Sequence, residues 1–434
     1  MRFDHLHHHL SRRQLFKAGA VGAAATVAHT SGLAGLAGAG ESAHGHSGGM
    51  MSSGRLAVTD EYDDSFSIEG ALDGSWAAET SARYGADDER GAVNEITPAK
   101  TAAALAMLDS GKVKTVTMAH LMRNGFPAYV TFPPRRFEQR ITVLGYEPGN
   151  PDEFFSTTTT GFAGEDEWRA ADRERGPLGY VQGTTPLGAN ELSGHEERYP
   201  EGGTLQIATQ LDGLAHIGVR DIFYNGHRAS EFTRAHAVTK LGIHLVGPVV
   251  TRGVLVDVLG YKQACGPDDV QMIDGRPVLT DRYRITVEDI VETLKWEGVG
   301  GIEAGDVVVI RTGWNQLAEL ALENEDQDLF DRYLAGEPGI YIREAKMLGD
   351  HRPAIIASDS WALELVGVPD PNGWAFPVHT ELLTKRGIRI GESVISDGLA
   401  ENGNFEFVYC YMPNHHYGAT AGATAPFALV NDES

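Results

Sequence analysis

Cysteine is nearly absent from this chain: Cys265 and Cys410 are the only two among 434 residues, and no C-x-x-C pair exists. That count excludes a thiolate zinc site and a disulfide framework. Two buried free thiols are the expected state, with a single bridge in an oxidising compartment as the alternative. Positive charge is also in deficit. With 36 Lys and Arg against 60 Asp and Glu, the formal net charge is −24, so a nucleic-acid surface, which needs clustered cations to displace phosphate counterions, is not expected. Anionic membranes are poor partners for the same reason. No G-x-G-x-x-G or P-loop is present, which leaves a nucleotide cofactor unsupported, and no internal repeat is evident. What remains is the composition of a soluble globular enzyme, 42% hydrophobic and 22% charged. A prior of roughly 150 residues per domain suggests two or three domains, but α/β domains run to ~250 residues or more, and one large domain is the first choice.

The N-terminus reads as an address. Ser11-Arg12-Arg13-Gln14-Leu15-Phe16-Lys17 precedes an uncharged Ala/Gly-rich run over 18–40 and looks like a twin-arginine export signal. Glycines make that run a poor membrane span. Removal of residues 1–43, a periplasmic or extracellular location, and no membrane contact afterwards are therefore expected. The twin-arginine route carries folded proteins, so the resemblance implies a metal or cofactor loaded before export. Residues 44–75, rich in Gly, Ser, His and Asp, read as a flexible linker, and order is expected over 76–434. Thr97-Pro98 opens a helix that ends near Gly111, and 113–121 follows as a strand. The polar stretch 147–203 reads as a long loop, either a lid over a site or a surface flap. Beyond it, strand-length apolar runs at 253–259, 306–311, 354–357 and 405–412 are interleaved with helical patterns at 286–294, 315–322 and 342–348. Thr286 caps the first of these helices, with Asp289 three residues on. Strands alternating with helices predict a layered α/β domain.

The chain's chemistry centres on 206–216, which reads Gln206-Ile207-Ala208-Thr209-Gln210-Leu211-Asp212-Gly213-Leu214-Ala215-His216. Its four polar groups stand at even offsets, so a strand running into a turn would place all of them on one face. Such a face can hold a metal ion or a water; a half-buried strand with ordinary hydrogen bonds accounts for the same pattern. Far downstream, His379 opens a helical stretch and Glu392 ends the next strand, so both can reach the same place.

Together these segments resemble the metal-dependent cyclase family, which includes bacterial kynurenine formamidase and isatin hydrolase and carries the motif H-x-G-T-H-x-D-x-P-x-H. Residues 84–94, 253–258, 285–289, 305–314 and the segment from His379 to Glu392 extend the likeness to about 76–430. The resemblance implies a single α/β domain of swivelling β/β/α type, with a mixed sheet and flanking helices, and a homo-oligomer. It implies that Asp212, His379 and Glu392 are metal ligands and that His216 is the general base or acid. Gln206 and Gln210 stand where the family has metal-binding histidines. Amide oxygens are neutral and harder than imidazole, so the exchange should weaken zinc binding and shift preference toward manganese or magnesium. One divalent ion, manganese or zinc, is expected in preference to two.

The reaction implied is hydrolysis of a cyclic amide, lactone or aryl formamide, a small carbonyl substrate, by metal-activated water with His216 as base. Two alternatives use the same residues: metal-assisted elimination, isomerisation or cyclisation, and a non-catalytic exported binding protein that has lost its metal. Trp314, Trp361, Trp374, Phe126, Phe132 and Tyr417 are candidate pocket residues, and His120, His227, His415 and His416 are further histidines able to approach the site.

Overall fold

The computed structural model describes residues 61–109, 111–129, 135, 137–156, 179–199 and 203–432. The twin-arginine stretch, Phe132 and residues 157–178 lie outside the described residues. Strands β1 (Val113–Thr117), β2 (Arg140–Leu144), β3 (Tyr180–Gly183) and β4 (Gly194–Arg198) precede the central β5 (Gln210–Asp212). They are followed by β6 (Val249–Val256), β7 (Val270–Ile273), β8 (Arg276–Leu279), β9 (Val307–Ile310) and β10 (Ile355–Ser358). The last four are β11 (Arg389–Glu392), β12 (Glu406–Tyr411), β13 (Ala421–Gly422) and β14 (Phe427–Asn431).

Among the described residues, nine strands form one mixed sheet in the order β1-β14-β12-β6-β9-β10-β11-β5-β13. Its centre, β6-β9-β10-β11, is parallel, and the pairings on both flanks are antiparallel. The centre is apolar on both faces because both are covered. Val308, Ile310, Ile356 and Ile390 pack with Ile290, Val291 and Leu294 of helix Val287–Glu297 and with Ala345 and Leu348 of helix Ile342–Asp350. The alternate residues Val307, Val309, Ile355 and Ala357 pack with Leu255, Phe407 and Tyr409. Two-sided burial explains why these strands read as continuous β-branched runs rather than as alternating patterns. Thr286 and Asp289 form the expected capping box, and Gly298 ends that helix at φ 74. The architecture is the expected α/β fold, a large mixed sheet with flanking helices.

Several boundaries differ from the sequence reading. The apolar run 253–259 is not one strand: β6 stops at Val256, Asp257 caps helix Val258–Cys265 by accepting from the Gly260 amide, and hydrophobicity alone cannot see that change of element. In the polar stretch 147–203, β3 and β4 flank β2 in a three-stranded sheet. Part of the expected linker is also structured. Residues 69–72 are helical, and Asp64 and Asp63 pair with Arg284 at 2.7 Å and Lys346 at 2.9 Å. Cys410 is buried, whereas Cys265 is exposed; both are free. No described helix is long and apolar enough to cross a membrane.

Candidate metal centre

Only Gln210–Asp212 of the 206–216 stretch is strand. Ala208 takes φ 53, so Gln206 to Thr209 leave the extended path and the single-face pattern expected from even offsets is not formed. The four polar residues converge nevertheless, because β5 is clamped. It pairs with β11 through Leu211 and Gly391, and with β13 through Asp212 and Ala421. The Gly213 amide donates to Thr420 O at 2.8 Å, and a Cβ on Gly213 would lie 2.7 Å from that oxygen; a larger residue would force the strands apart. Upstream, Thr209 Oγ1 donates to Ser393 O at 2.6 Å and accepts from the His120 amide at 2.9 Å. The bend is thereby tied to the end of β11, beside Glu392.

Asp212, His379 and Glu392 come together in the interior, with one ligand atom of each within 4.8 Å of the others. His379 Nε2 is 3.6 Å from Asp212 Oδ2 and 3.3 Å from Glu392 Oε1. Pro377 starts the short helix carrying His379, and Phe376 before it turns through φ 49, aiming the imidazole at the sheet. The other ring nitrogen, Nδ1, lies 2.5 Å from Glu364 Oε1, and Glu364 also accepts from the Val378 and His379 amides at 3.3 and 3.2 Å. A carboxylate holding the far nitrogen of a histidine fixes which nitrogen faces the centre.

The electrostatics suit a cation. Asp212 is fully buried, and neither of its carboxylate oxygens has a hydrogen-bond partner among the described residues. Burial, then the neighbouring Glu392, hold the Asp212 carboxyl well above the usual carboxylate range. Burial pushes the His379 imidazole down, but its contacts with Glu364 and Glu392 outweigh it and hold the proton well above the ordinary histidine range. Asp212, His379 and Glu392 would together hold a divalent ion, whose charge would compensate the orphaned Asp212 oxygens in place of a proton, so the residues fit the expected metal. Gln210 Oε1 is likewise buried without a partner among the described residues.

Gln206, Gln210 and His216 form the other flank. His216 Nε2 is 3.8 Å from Asp212 Oδ2, and His216 Nδ1 is 3.2 Å from Gln206 Nε2. Gln210 Nε2 donates to Gln206 Oε1 at 3.3 Å and, closer still, to Glu392 Oε2. Burial, reinforced by His379 and Arg135, pushes the His216 imidazole down to about 3, so it is neutral at working pH. Tyr129, Arg135, Tyr333, Leu334 and Trp361 line the cavity against Gln206, Gln210 and Glu392, with Tyr129 stacked on Trp361 at 5.0 Å.

Of the aromatic residues expected at a pocket, Trp361 lines it. Trp314 and Phe126 are core, Trp374 packs on Phe66, and Tyr417 lies against His244. His120 pairs with Glu319 at 3.4 Å, His227 meets Asp88 O at 3.2 Å, and His415 neighbours His244; none joins the trio. The sequence reading missed Glu364, Tyr129, Arg135 and Tyr333. Glu364 carries no periodic or motif signal.

The Cyclase family model matches residues 116–365. Among solved structures, a novel cyclase aligns at 27% identity over 80% of this chain and 97% of its own, with a TM-score of 0.57. Isatin hydrolase A from Ralstonia solanacearum aligns at 14% identity over 77% of this chain and 97% of its own, with a TM-score of 0.44. A "predicted metal-dependent hydrolase" from Bacillus stearothermophilus gives 14% identity, coverage of 74% and 99%, and a TM-score of 0.39. No curated protein matches the chain.

Proposed function

The chain belongs to the Cyclase family, and from that premise we propose that it is a metal-dependent hydrolase of a small carbonyl compound: a cyclic amide, a lactone or an aryl formamide. One observation carries the reading. The buried Asp212 carboxylate, with both oxygens unpartnered, faces His379 and Glu392 across distances a single ion can bridge. One aspartate, one glutamate and one imidazole are a donor set for manganese or zinc. Bound there, the ion would supply Lewis acidity, lowering the pKa of water and polarising a carbonyl. Asp212 and Glu392 supply the negative charge that retains the ion, and Glu364 keeps His379 Nε2 turned toward it. The stacked Tyr129–Trp361 pair and Tyr333 give the cavity an apolar wall that excludes competing water. His216 stands beside Asp212 as the neutral polar side chain placed to meet the reacting group.

The reading includes export by the twin-arginine route, supported by Arg12, Arg13 and Lys17 ahead of the Ala/Gly run. The test is metal analysis of protein purified without chelator, followed by assay on lactones, cyclic amides and aryl formamides. Bound manganese or zinc near one per chain, and turnover of one substrate class, are expected. Protein that holds no divalent ion and gains none from either metal would sink the proposal. His216→Ala should remove turnover while metal content stays nearly intact.

A further inference from the structure

The hydrogen bonds linking Glu392 to His216 have a direction. An ionised carboxylate accepts and never donates, and a carboxylate that ligates a cation is ionised. The Gln210 group facing Glu392 Oε2 is therefore its NH2. That nitrogen also donates to Gln206 Oε1 at 3.3 Å. With its oxygen engaged by Gln210, Gln206 turns its own NH2 to His216 Nδ1, 3.2 Å away. An amide nitrogen only donates, so Nδ1 has to accept. A neutral imidazole carries one proton, and here it must lie on Nε2, the nitrogen 3.8 Å from Asp212 Oδ2. Turning over the Gln206 amide sets two NH2 groups against each other. Turning over both sets an amide oxygen against a carboxylate oxygen. Either change loses a hydrogen bond in a mostly buried place and adds repulsion.

We propose that Gln206 is a positioning residue rather than a metal ligand, and that Gln210 links it to Glu392 in a relay holding His216 as the Nε2–H tautomer. His216 then meets substrate as a neutral hydrogen-bond donor to the oxygen of the reacting carbonyl, where charge develops as the carbonyl is attacked. A preorganised donor in a site that excludes water stabilises that charge, and a neutral imidazole serves as such an electrophile elsewhere. A base would need Nε2 free and Nδ1 protonated, and Gln206 offers Nδ1 no acceptor. The exchange of two histidines for glutamines thus gives the flank a new role. This assignment rests on the reading of the site as a metal-dependent hydrolytic centre.

The experiment is long-range 15N–1H correlation on the full chain, labelled with 15N-histidine and supplied with zinc, together with zinc content per chain. The His216 signals are identified by their loss in His216→Asn. Protonated Nε2 with unprotonated Nδ1 is expected in the unsubstituted protein, and Gln206→Glu, which puts an acceptor at Nδ1, should move the proton there. Zinc content of Gln206→Ala should stay within about twofold of the unsubstituted protein, while Asp212→Asn loses it. A proton on Nδ1 in the unsubstituted protein would overturn the proposal, as would loss of zinc from Gln206→Ala as complete as from Asp212→Asn. Should Gln206→Glu not fold, the unsubstituted spectrum alone decides. A chain that takes up no zinc would count against the hydrolase reading, and the same spectrum would still report the tautomer.

Discussion

The two flanks of the centre are built in different ways. Asp212 and Glu392 stand on adjacent antiparallel strands, and His379 is pinned by two contacts of its own to Glu364, one of them at 2.5 Å, and by the neighbouring Val378 amide, which donates to the same carboxylate. Their backbone is paired and their side chains are buried. Gln206 and His216 lie outside β5, at either end of a segment that bends at Ala208, and His216 is partly exposed. The first flank concentrates charge that only a cation or a proton can offset, and its rigidity keeps that arrangement ready. The second carries no formal charge of its own at neutral pH and is held by a chain of amide hydrogen bonds. Rigid charge suits holding a metal; a directional neutral chain suits presenting one hydrogen at one angle.

The largest expected effect breaks the charged flank. Asp212→Asn should lower metal affinity by more than about 100-fold, since even losing an outer-shell partner costs ~10–100-fold; isothermal titration with manganese or zinc measures it. In chelator the sign reverses. The folded-state pKa of Asp212 lies above its ordinary 3.8, and that of His379 above 6.5, so the folded protein binds these protons more tightly than the unfolded chain does. The stability each contributes is present below its unfolded pKa and is lost as pH rises through the folded pKa. In metal-free protein the contribution of this pair should therefore decline as pH rises from about 4 upward, and Asp212→Asn should remove the Asp212 part of that decline. Urea unfolding at about pH 5 and about pH 8, with and without the substitution, checks both signs. An unchanged pH dependence would remove Asp212 as its source.

A smaller effect should follow from weakening the support of the charged flank while leaving its ligands in place. Glu364→Gln keeps the shape beside His379 Nδ1 but replaces a charged acceptor with an amide. Metal affinity should fall by roughly 10–100-fold, without the complete loss expected from Asp212→Asn. Affinity within twofold of the unsubstituted protein would mean that the helix carrying His379 orients the ring unaided.

Legibility in the sequence followed the same division. Asp212, His379 and Glu392 were expected as ligands through the family resemblance rather than from any local signal, and the structure brings these three together; locally, His379 only follows Pro377 at a helix start and Glu392 only ends a short strand. The central strands could be read from their β-branched runs, and the helix at Thr286 from its capping box. Glu364 could not, because it lies in an irregular connection where no period constrains the residue type. Nor could the bend before Gln210 be read. The even spacing of 206, 210, 212 and 216 suggested one strand face, whereas convergence comes from Ala208 at φ 53 and from Thr209 bonded across to Ser393. Spacing reports side-chain direction only while the backbone stays regular. Residues 206–209, with no glycine, proline, asparagine or aspartate, offer no turn signal to mark where it does not.

The smallest effect sharpens the neutral flank. Ala208 occupies the glycine position of the H-x-G-T-H motif and is buried with its backbone at φ 53, where a Cβ crowds the carbonyl and costs an L-residue about 1–2 kcal/mol. Ala208→Gly relieves that strain but enlarges the freedom of the unfolded chain, which takes back about 0.4–1 kcal/mol. The net should be a gain of roughly 0.5–1 kcal/mol, readable as a slightly higher urea midpoint with unchanged slope. Metal content should not move, because no ligand is displaced. If Ala208→Gly instead lowered stability and loosened the His216 tautomer, the methyl group would be part of what holds the bend, and the neutral flank would owe its order to packing at Ala208 as well as to the amide chain from Glu392.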